Sequence, residues 1–160
     1  MDELDGGLVL LPGEVPPIRV GGFNVHVLAT AELTGGAFSL VETAEPEAGG
    51  GPPLHIHRDA AESFYVVAGA YEMHVNGRDF HCPQGSFVHV PRGVAHTFRV
   101  AEPGSRKLNL YSPSAMEGYF SELGEAMADG LDEDGLAEIA ERYNMDVVGP
   151  APQSYLDRTP

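Results

Sequence analysis

Between Phe23 and Tyr111 the chain alternates apolar and polar residues in short runs separated by turn residues. Phe23, Val25 and Val27 alternate with Asn24, His26 and Leu28, and Tyr71, Met73 and Val75 alternate with Glu72 and His74. A period of two predicts strands with two distinct faces, assembled as a sandwich or small barrel. Asn76-Gly77 tolerates the positive φ angles of a type I′ turn, so residues 70–81 read as a hairpin. Beyond Pro113 the period lengthens. Met116, Tyr119, Phe120 and Leu123 recur at helical spacing, and Asp132 or Glu133 opens a second segment with Leu136, Ile139, Ala140 and Tyr143 on one face. Two short amphipathic helices are expected, each with an apolar stripe that the barrel or another subunit must cover. Residues 1 to about 20, with Pro12, Pro16 and Pro17, read as an extended arm, and 149–160 as a loose tail. The pattern is that of an all-β domain with a small α appendage. Residues 1–112 hold the arm and barrel; 113–160 hold the helical extension and tail, packed on the same domain.

The bulk numbers narrow the partners. A chain of 160 residues can bury one core, and 20 glycines and 13 prolines suit short strands and turns better than long helices. Twenty-four acidic residues against nine basic ones give a formal charge of −15, a field that repels nucleic-acid backbones and anionic lipid head groups. No nucleic acid and no membrane partner is therefore expected. Cys82 is the sole cysteine, so no intrachain disulfide can form, and the first residues, Met1-Asp2-Glu3-Leu4-Asp5, are acidic where a secretory signal starts positive. No apolar run reaches the length of a membrane span. These features lead us to expect a soluble cytoplasmic protein.

The candidate chemistry lies in two stretches. Gly49 to Gly69 reads GGGPPLHIHRDAAESFYVVAG. His55 and His57, two apart, fall on one face of a strand, close enough for two imidazoles to share one ion. Pro52-Pro53 enforces an extended entry, and Asp59-Ala60-Ala61 supplies a turn into the next strand. Glu62 then starts the apolar run Phe64 to Val67, where a carboxylate is costly unless a cation pairs with it. Gly85 to His96 reads GSFVHVPRGVAH: Pro91-Arg92-Gly93 turns the chain, and His96 opens a further strand from which it can complete the site. Three imidazoles and one carboxylate suit a single divalent transition metal, whether iron, manganese, nickel, copper, cobalt or zinc, and not an oxygen-seeking ion such as calcium.

These stretches resemble the paired motifs of the cupin superfamily. The first, Gly-x5-His-x-His-x4-Glu-x6-Gly, is met by Gly49, His55, His57, Glu62 and Gly69. The second, Gly-x5-Pro-x-Gly-x2-His-x3-Asn, is met by Gly85, Pro91, Gly93 and His96, with Val100 in place of its final Asn. A narrower similarity, to small quercetin-dioxygenase-like cupins, rests on Glu62 to Val67, Val90 to His96, Thr34 to Phe38 and Tyr111-Ser112-Pro113. The resemblance implies a double-stranded β-helix, or jelly-roll barrel, followed by two short helices, with a central metal and often a homodimer. It does not imply a reaction, because this barrel hosts oxygenases, isomerases, cyclases and proteins without known catalysis.

Alternation from Glu62 and His96 places Phe64, Val66, Phe98 and Val100 on the metal-facing side, so a mostly apolar substrate pocket is expected. Such a pocket suits a flat aromatic or enol-bearing molecule. The leading expectation is a quercetinase-like dioxygenase acting on an aromatic, flavonol-like or polyketide-like compound, with Glu62 as general base and dioxygen as co-substrate. The alternatives are a metal-dependent isomerase or cyclase that needs no oxygen, and a non-catalytic ligand-binding barrel. His26, His74, His81 and His89 are read as structural or exposed, Cys82 as a small packing residue, and Arg92 as a solvated turn residue.

Overall fold

A computed structural model of the chain describes residues 2–4 and 7–150. The elements run β1 (Asp2–Leu4), β2 (Gly7–Val9), β3 (Ile18–Val20), β4 (Phe23–Ala29), α1 (Ala31–Thr34), β5 (Ser39–Glu45), β6 (Leu54–His57), β7 (Ala61–Ala68) and β8 (Ala70–Val75). They continue with β9 (Arg78–Pro83), β10 (Phe87–Val90), β11 (His96–Val100), β12 (Ser105–Ser112), α2 (Glu117–Ala128), α3 (Glu133–Arg142) and β13 (Met145–Gly149). A six-stranded sheet in the order β10-β7-β12-β5-β4-β3 is joined by a five-stranded sheet in the order β13-β6-β11-β8-β9. From β5 to β12 the chain passes repeatedly between the two sheets, which is the winding of a double-stranded β-helix. The expected β-barrel with two C-terminal helices is what this chain forms.

The local expectations follow from residue chemistry. Strands β8 and β9 pair from Ala70↔Pro83 to Val75↔Arg78, and the linking Asn76 and Gly77 have φ of 50° and 76°. Both are positive, as a type I′ turn requires. Gly69, at φ +69°, turns β7 into β8, and a Cβ there would lie 2.2 Å from Ser105 Oγ, so no larger residue fits. Asp132 caps α3 by accepting from the Gly135 amide at 2.8 Å.

The helical stripes are covered within the chain. Met116, Tyr119 and Leu123 with Ile139 and Ala140 of α3 join Val25, Val41, Tyr111 and Met145 in one buried cluster. Burying each large apolar side chain contributes roughly 1.5–3 kcal/mol, and together they fasten the helices across the barrel. Gly124 permits the close approach: a Cβ there would lie 2.7 Å from the Arg19 carbonyl on β3. A second cluster, Phe64, Val66, Tyr71, Met73, Val90, Phe98 and Val100, fills the barrel.

Two regions depart from the sequence reading. No strand was expected after α3, yet β13 pairs antiparallel with β6, Met145 opposite His57 and Val147 opposite His55. The extension thus completes the sheet that carries His55, His57 and His96. Of the expected tail, 151–160 lie outside the described residues. The N-terminal arm supplies β3, which pairs with β4, while β1 and β2 pair with each other; residues 1, 5 and 6 lie outside the described residues.

Inside the barrel, β5 and β12 turn polar residues inward. Lys107 is fully buried, donating to Thr43 Oγ1 at 2.6 Å and Glu45 Oε1 at 3.2 Å, with its ammonium 3.9 Å from the Phe98 ring centroid. Tyr71 donates its hydroxyl to the other oxygen of Glu45. Burial lowers the Lys107 pKa, opposed by the Glu45 charge.

Candidate metal centre

His55 and His57 come from β6, His96 from the adjacent β11 and Glu62 from β7 in the facing sheet. The i,i+2 spacing keeps both β6 imidazoles on the interior face, and the β6–β11 rung sets His96 directly opposite His55. All four residues are buried, and one ligand atom from each lies within 4.8 Å of the others.

The outer nitrogens orient the rings. His55 Nδ1 is 2.9 Å from the Pro53 carbonyl and His96 Nδ1 is 2.9 Å from the Val94 carbonyl, so each donates outward and turns Nε2 to the centre. Glu62 Oε2 accepts from His57 Nε2 at 2.9 Å and from His96 Nε2 at 3.0 Å, while Oε1 accepts from Asn109 Nδ2 at 3.0 Å. Burial alone raises the Glu62 pKa, but the bonds from His57 and His96 outweigh it and hold the carboxyl well below its usual range. His96 has an acceptor at each ring nitrogen; burial favours its neutral form, yet the Glu62 bond and charge raise its pKa overall. Burial, with the neighbouring His96, pushes His55 down to about 3.

A divalent ion fits these residues. Without it, four buried polar side chains share protons at a single point; with it, the Nε2 lone pairs and the carboxylate meet a common positive charge. The outward Nδ1 bonds of His55 and His96 are the supports that metal-ligating imidazoles use.

Beside the four residues lies a cavity of about 340 Å³, within the range of small-ligand sites. His55, His57 and Glu62 form its polar end, Phe23, Phe64 and Phe98 face it from the strands, and Tyr119, Leu123 and Met127 close it from α2. Of the expected pocket residues, Phe64 and Phe98 line the cavity. Val66 and Val100 share their faces but lie deeper, 0% and 1% exposed in the barrel core and off the cavity wall. Each is one step further along its strand, where the packed interior leaves no opening.

Sequence reasoning missed Asn109, Tyr111 and the wall contributed by α2. Along Lys107-Leu108-Asn109-Leu110-Tyr111 hydrophobicity points Leu108 and Leu110 inward. The fold does the reverse, leaving Lys107 and Asn109 at 0% and 3% exposure. Tyr111, at the same parity and opposite Glu62 on β7, was the available signal. Burial, and next the Glu62 charge, holds the Tyr111 hydroxyl protonated, well above its ordinary pKa.

The remaining candidates are occupied locally. His26 bonds the Val15 carbonyl, His74 pairs with Asp79, His81 with Glu72 and His89 with Ser63. Cys82 is buried, and burial pushes its thiol pKa up, away from nucleophilic use. Arg92 is exposed in its turn.

Comparison with known proteins agrees with this geometry. The family described as Cupin domain matches residues 42–108. Quercetin 2,3-dioxygenase of Bacillus subtilis (strain 168) is 27% identical over 128 residues, 78% of this chain and 38% of that protein. Quercetin 2,3-dioxygenase of Aspergillus japonicus is 29% identical over 106 residues, 62% of this chain and 30% of that protein. The chain therefore spans about a third of the length of these relatives. Among solved structures, KdgF from Halomonas sp. superposes with a TM-score of 0.61 at 22% identity, covering 67% of this chain and 94% of that one, a likeness of fold. Among the described residues no helix is long and apolar enough to cross a membrane.

Proposed function

We propose that this chain, a small cupin resembling quercetinase-like proteins, is a metal-dependent enzyme acting on an aromatic, hydroxyl-bearing small molecule, most simply as a dioxygenase. The observation that carries the reading is the placement of His55, His57 and Glu62, with His96 clustered behind them, at the polar end of a largely apolar cavity with aromatic walls. The two quercetin dioxygenases supply the reaction class. A divalent transition ion held by these four residues would supply Lewis acidity toward a substrate oxygen and, where redox-active, reactivity toward dioxygen.

The chain's own residues supply the rest. Phe64 and Phe98 give a flat ring apolar faces, and Tyr119, Leu123 and Met127 on α2 exclude water above it. Glu62 is held anionic and so is ready to accept the substrate hydroxyl proton on a carboxylate oxygen, while Asn109 keeps that carboxylate oriented. A soluble, cytoplasmic homodimer belongs to the same proposal, although the helical stripes that suggested a dimer are covered within one chain. A light-scattering mass of twice the chain would support it.

Oxygen uptake dependent on an added flavonol tests the reaction. Uptake with loss of the flavonol absorbance is expected; conversion that continues unchanged without oxygen would remove the dioxygenase reading and favour an isomerase or cyclase.

A further inference from the structure

Asn109, a residue of the cavity wall, carries a buried hydrogen-bonding atom that has no partner among the described residues. Asn109 on β12 lines the cavity and is 3% exposed. Its Nδ2 donates to Glu62 Oε1 at 3.0 Å, which fixes the amide's sense, because turning it over would set Oδ1 against a carboxylate oxygen. Oδ1 is the atom left over: buried, with no donor among the described residues. A buried acceptor in that state is destabilising until a donor meets it. The neighbouring donors are directed elsewhere: the Tyr111 hydroxyl meets Glu62 and the amide side of Asn109, Phe64 is the Asn109 partner across the β12–β7 ladder, and the Lys107 ammonium is taken by Thr43 and Glu45. The same pairing decides the kind of ligand. Glu45 offsets the charge of Lys107, so this level of the cavity offers no net cation to a carboxylate or phosphate, only a neutral acceptor between aromatic faces.

We infer that Asn109 is a ligand-recognition residue whose Oδ1 accepts a hydrogen bond from a hydroxyl of the bound aromatic. The inference rests on the function proposed above and deepens it. The ligand class becomes a neutral hydroxylated aromatic, with the hydroxyl that Asn109 reads close to the oxygen that Glu62 and the histidines address. Asn109 thereby joins the two ends of recognition, holding Glu62 through Nδ2 and the ligand through Oδ1.

The test is a fluorescence titration of the full chain with two probes, a flavonol bearing a second ring hydroxyl and the parent flavonol, which lacks it but keeps the hydroxyl that Glu62 addresses. The wild type should bind the dihydroxy probe more tightly. In Asn109→Leu, which keeps the branching and heavy-atom count of the side chain, the Kd of the dihydroxy probe should rise about tenfold or more while that of the parent flavonol moves less than about threefold. Metal content is measured alongside by elemental analysis, so that a changed ratio at unchanged metal is assigned to Oδ1. Equal weakening of both probes, or no change in either, would mean that Asn109 acts only through Glu62 and would overturn the inference. Asn109→Ser, whose side chain is too short to reach the ligand, should give the same change in ratio and serves if the leucine variant does not fold. Binding of the parent flavonol by the wild type with no gain from the second hydroxyl removes the role of Asn109 alone; binding of neither probe removes the aromatic-ligand reading and this inference with it.

Discussion

His55 and His96 stand opposite each other on the rung that joins β6 to β11, with ring centroids 4.4 Å apart, yet their proton affinities are driven in opposite directions. Glu62 accounts for the difference. It accepts directly from His96 Nε2, while burial and the proximity of His96 keep His55 neutral. One ring stays neutral through the whole neutral range, and the other holds its proton more tightly than an ordinary imidazole.

That asymmetry sets the pH dependence of metal uptake. The His96 pKa is raised above its ordinary 6.5 in the metal-free chain, so below that raised value coordination displaces a proton there, whereas His55, at about 3, displaces none in the same range. As pH falls through the raised His96 value, affinity for a divalent ion should drop by about tenfold per pH unit on account of the His96 proton. Titration of the metal-free protein at a series of pH values checks this. Affinity that holds constant until well below 6.5 would show that His96 is not the group that titrates.

The stoichiometry should be about one divalent ion per chain, because the four residues converge on a single point. His57→Ala combined with His96→Ala should lose nearly all of it by elemental analysis. With ion at about one hundred times its Kd, binding adds roughly 2.7 kcal/mol to stability, so a chelator should lower the wild-type Tm and leave that of the double variant unchanged. Full metal content in the double variant would place the ion elsewhere.

The four converging residues were legible in the sequence because their signals are local. His55 and His57 lie two apart, Glu62 follows one turn later, and His96 follows a Pro-x-Gly turn, so spacing alone aligns them. The hairpin at Asn76-Gly77 and the stripes of α2 and α3 were readable for the same reason. The inward face of β12 was not. Its leucines point away from the barrel interior while Lys107 and Asn109 point into it, because partners distant in sequence, Glu45 for one and Glu62 for the other, compensate their burial. β13 was hidden likewise: Met145–Gly149 is short, and its reason for being a strand is the open edge of β6. Val66 and Val100 were placed on the correct face but at the wrong depth, since alternation gives direction and says nothing of where a cavity ends.

The Lys107–Glu45 pair makes a second stability test. Both side chains are fully buried, and Lys107→Met leaves the Glu45 carboxylate without its cation, a change that costs about 3–5 kcal/mol. A fall in Tm of about 10 °C or more is expected by calorimetry. Adding Glu45→Gln removes the stranded charge while keeping an acceptor for the Tyr71 hydroxyl, so the double variant should recover most of the loss. Equal destabilisation in the single and double variants would show that packing around Phe98, and not charge pairing, sets the cost.

Glu62→Gln separates binding from proton transfer. Gln keeps the shape and one acceptor oxygen but removes the charge and nearly all the basicity. The three histidines still present their nitrogens, two of them fixed by the Pro53 and Val94 carbonyls, so much of the metal should remain, more weakly held. Turnover of an aromatic hydroxyl substrate should fall by about two to four orders of magnitude, the usual worth of a positioned base. The variant also discriminates between causes: with metal restored to saturation, a deficit that persists belongs to the missing base, whereas one that disappears belongs to the ligand. Substrate-dependent oxygen uptake at saturating metal is the measurement, and wild-type turnover in Glu62→Gln would remove Glu62 from proton transfer.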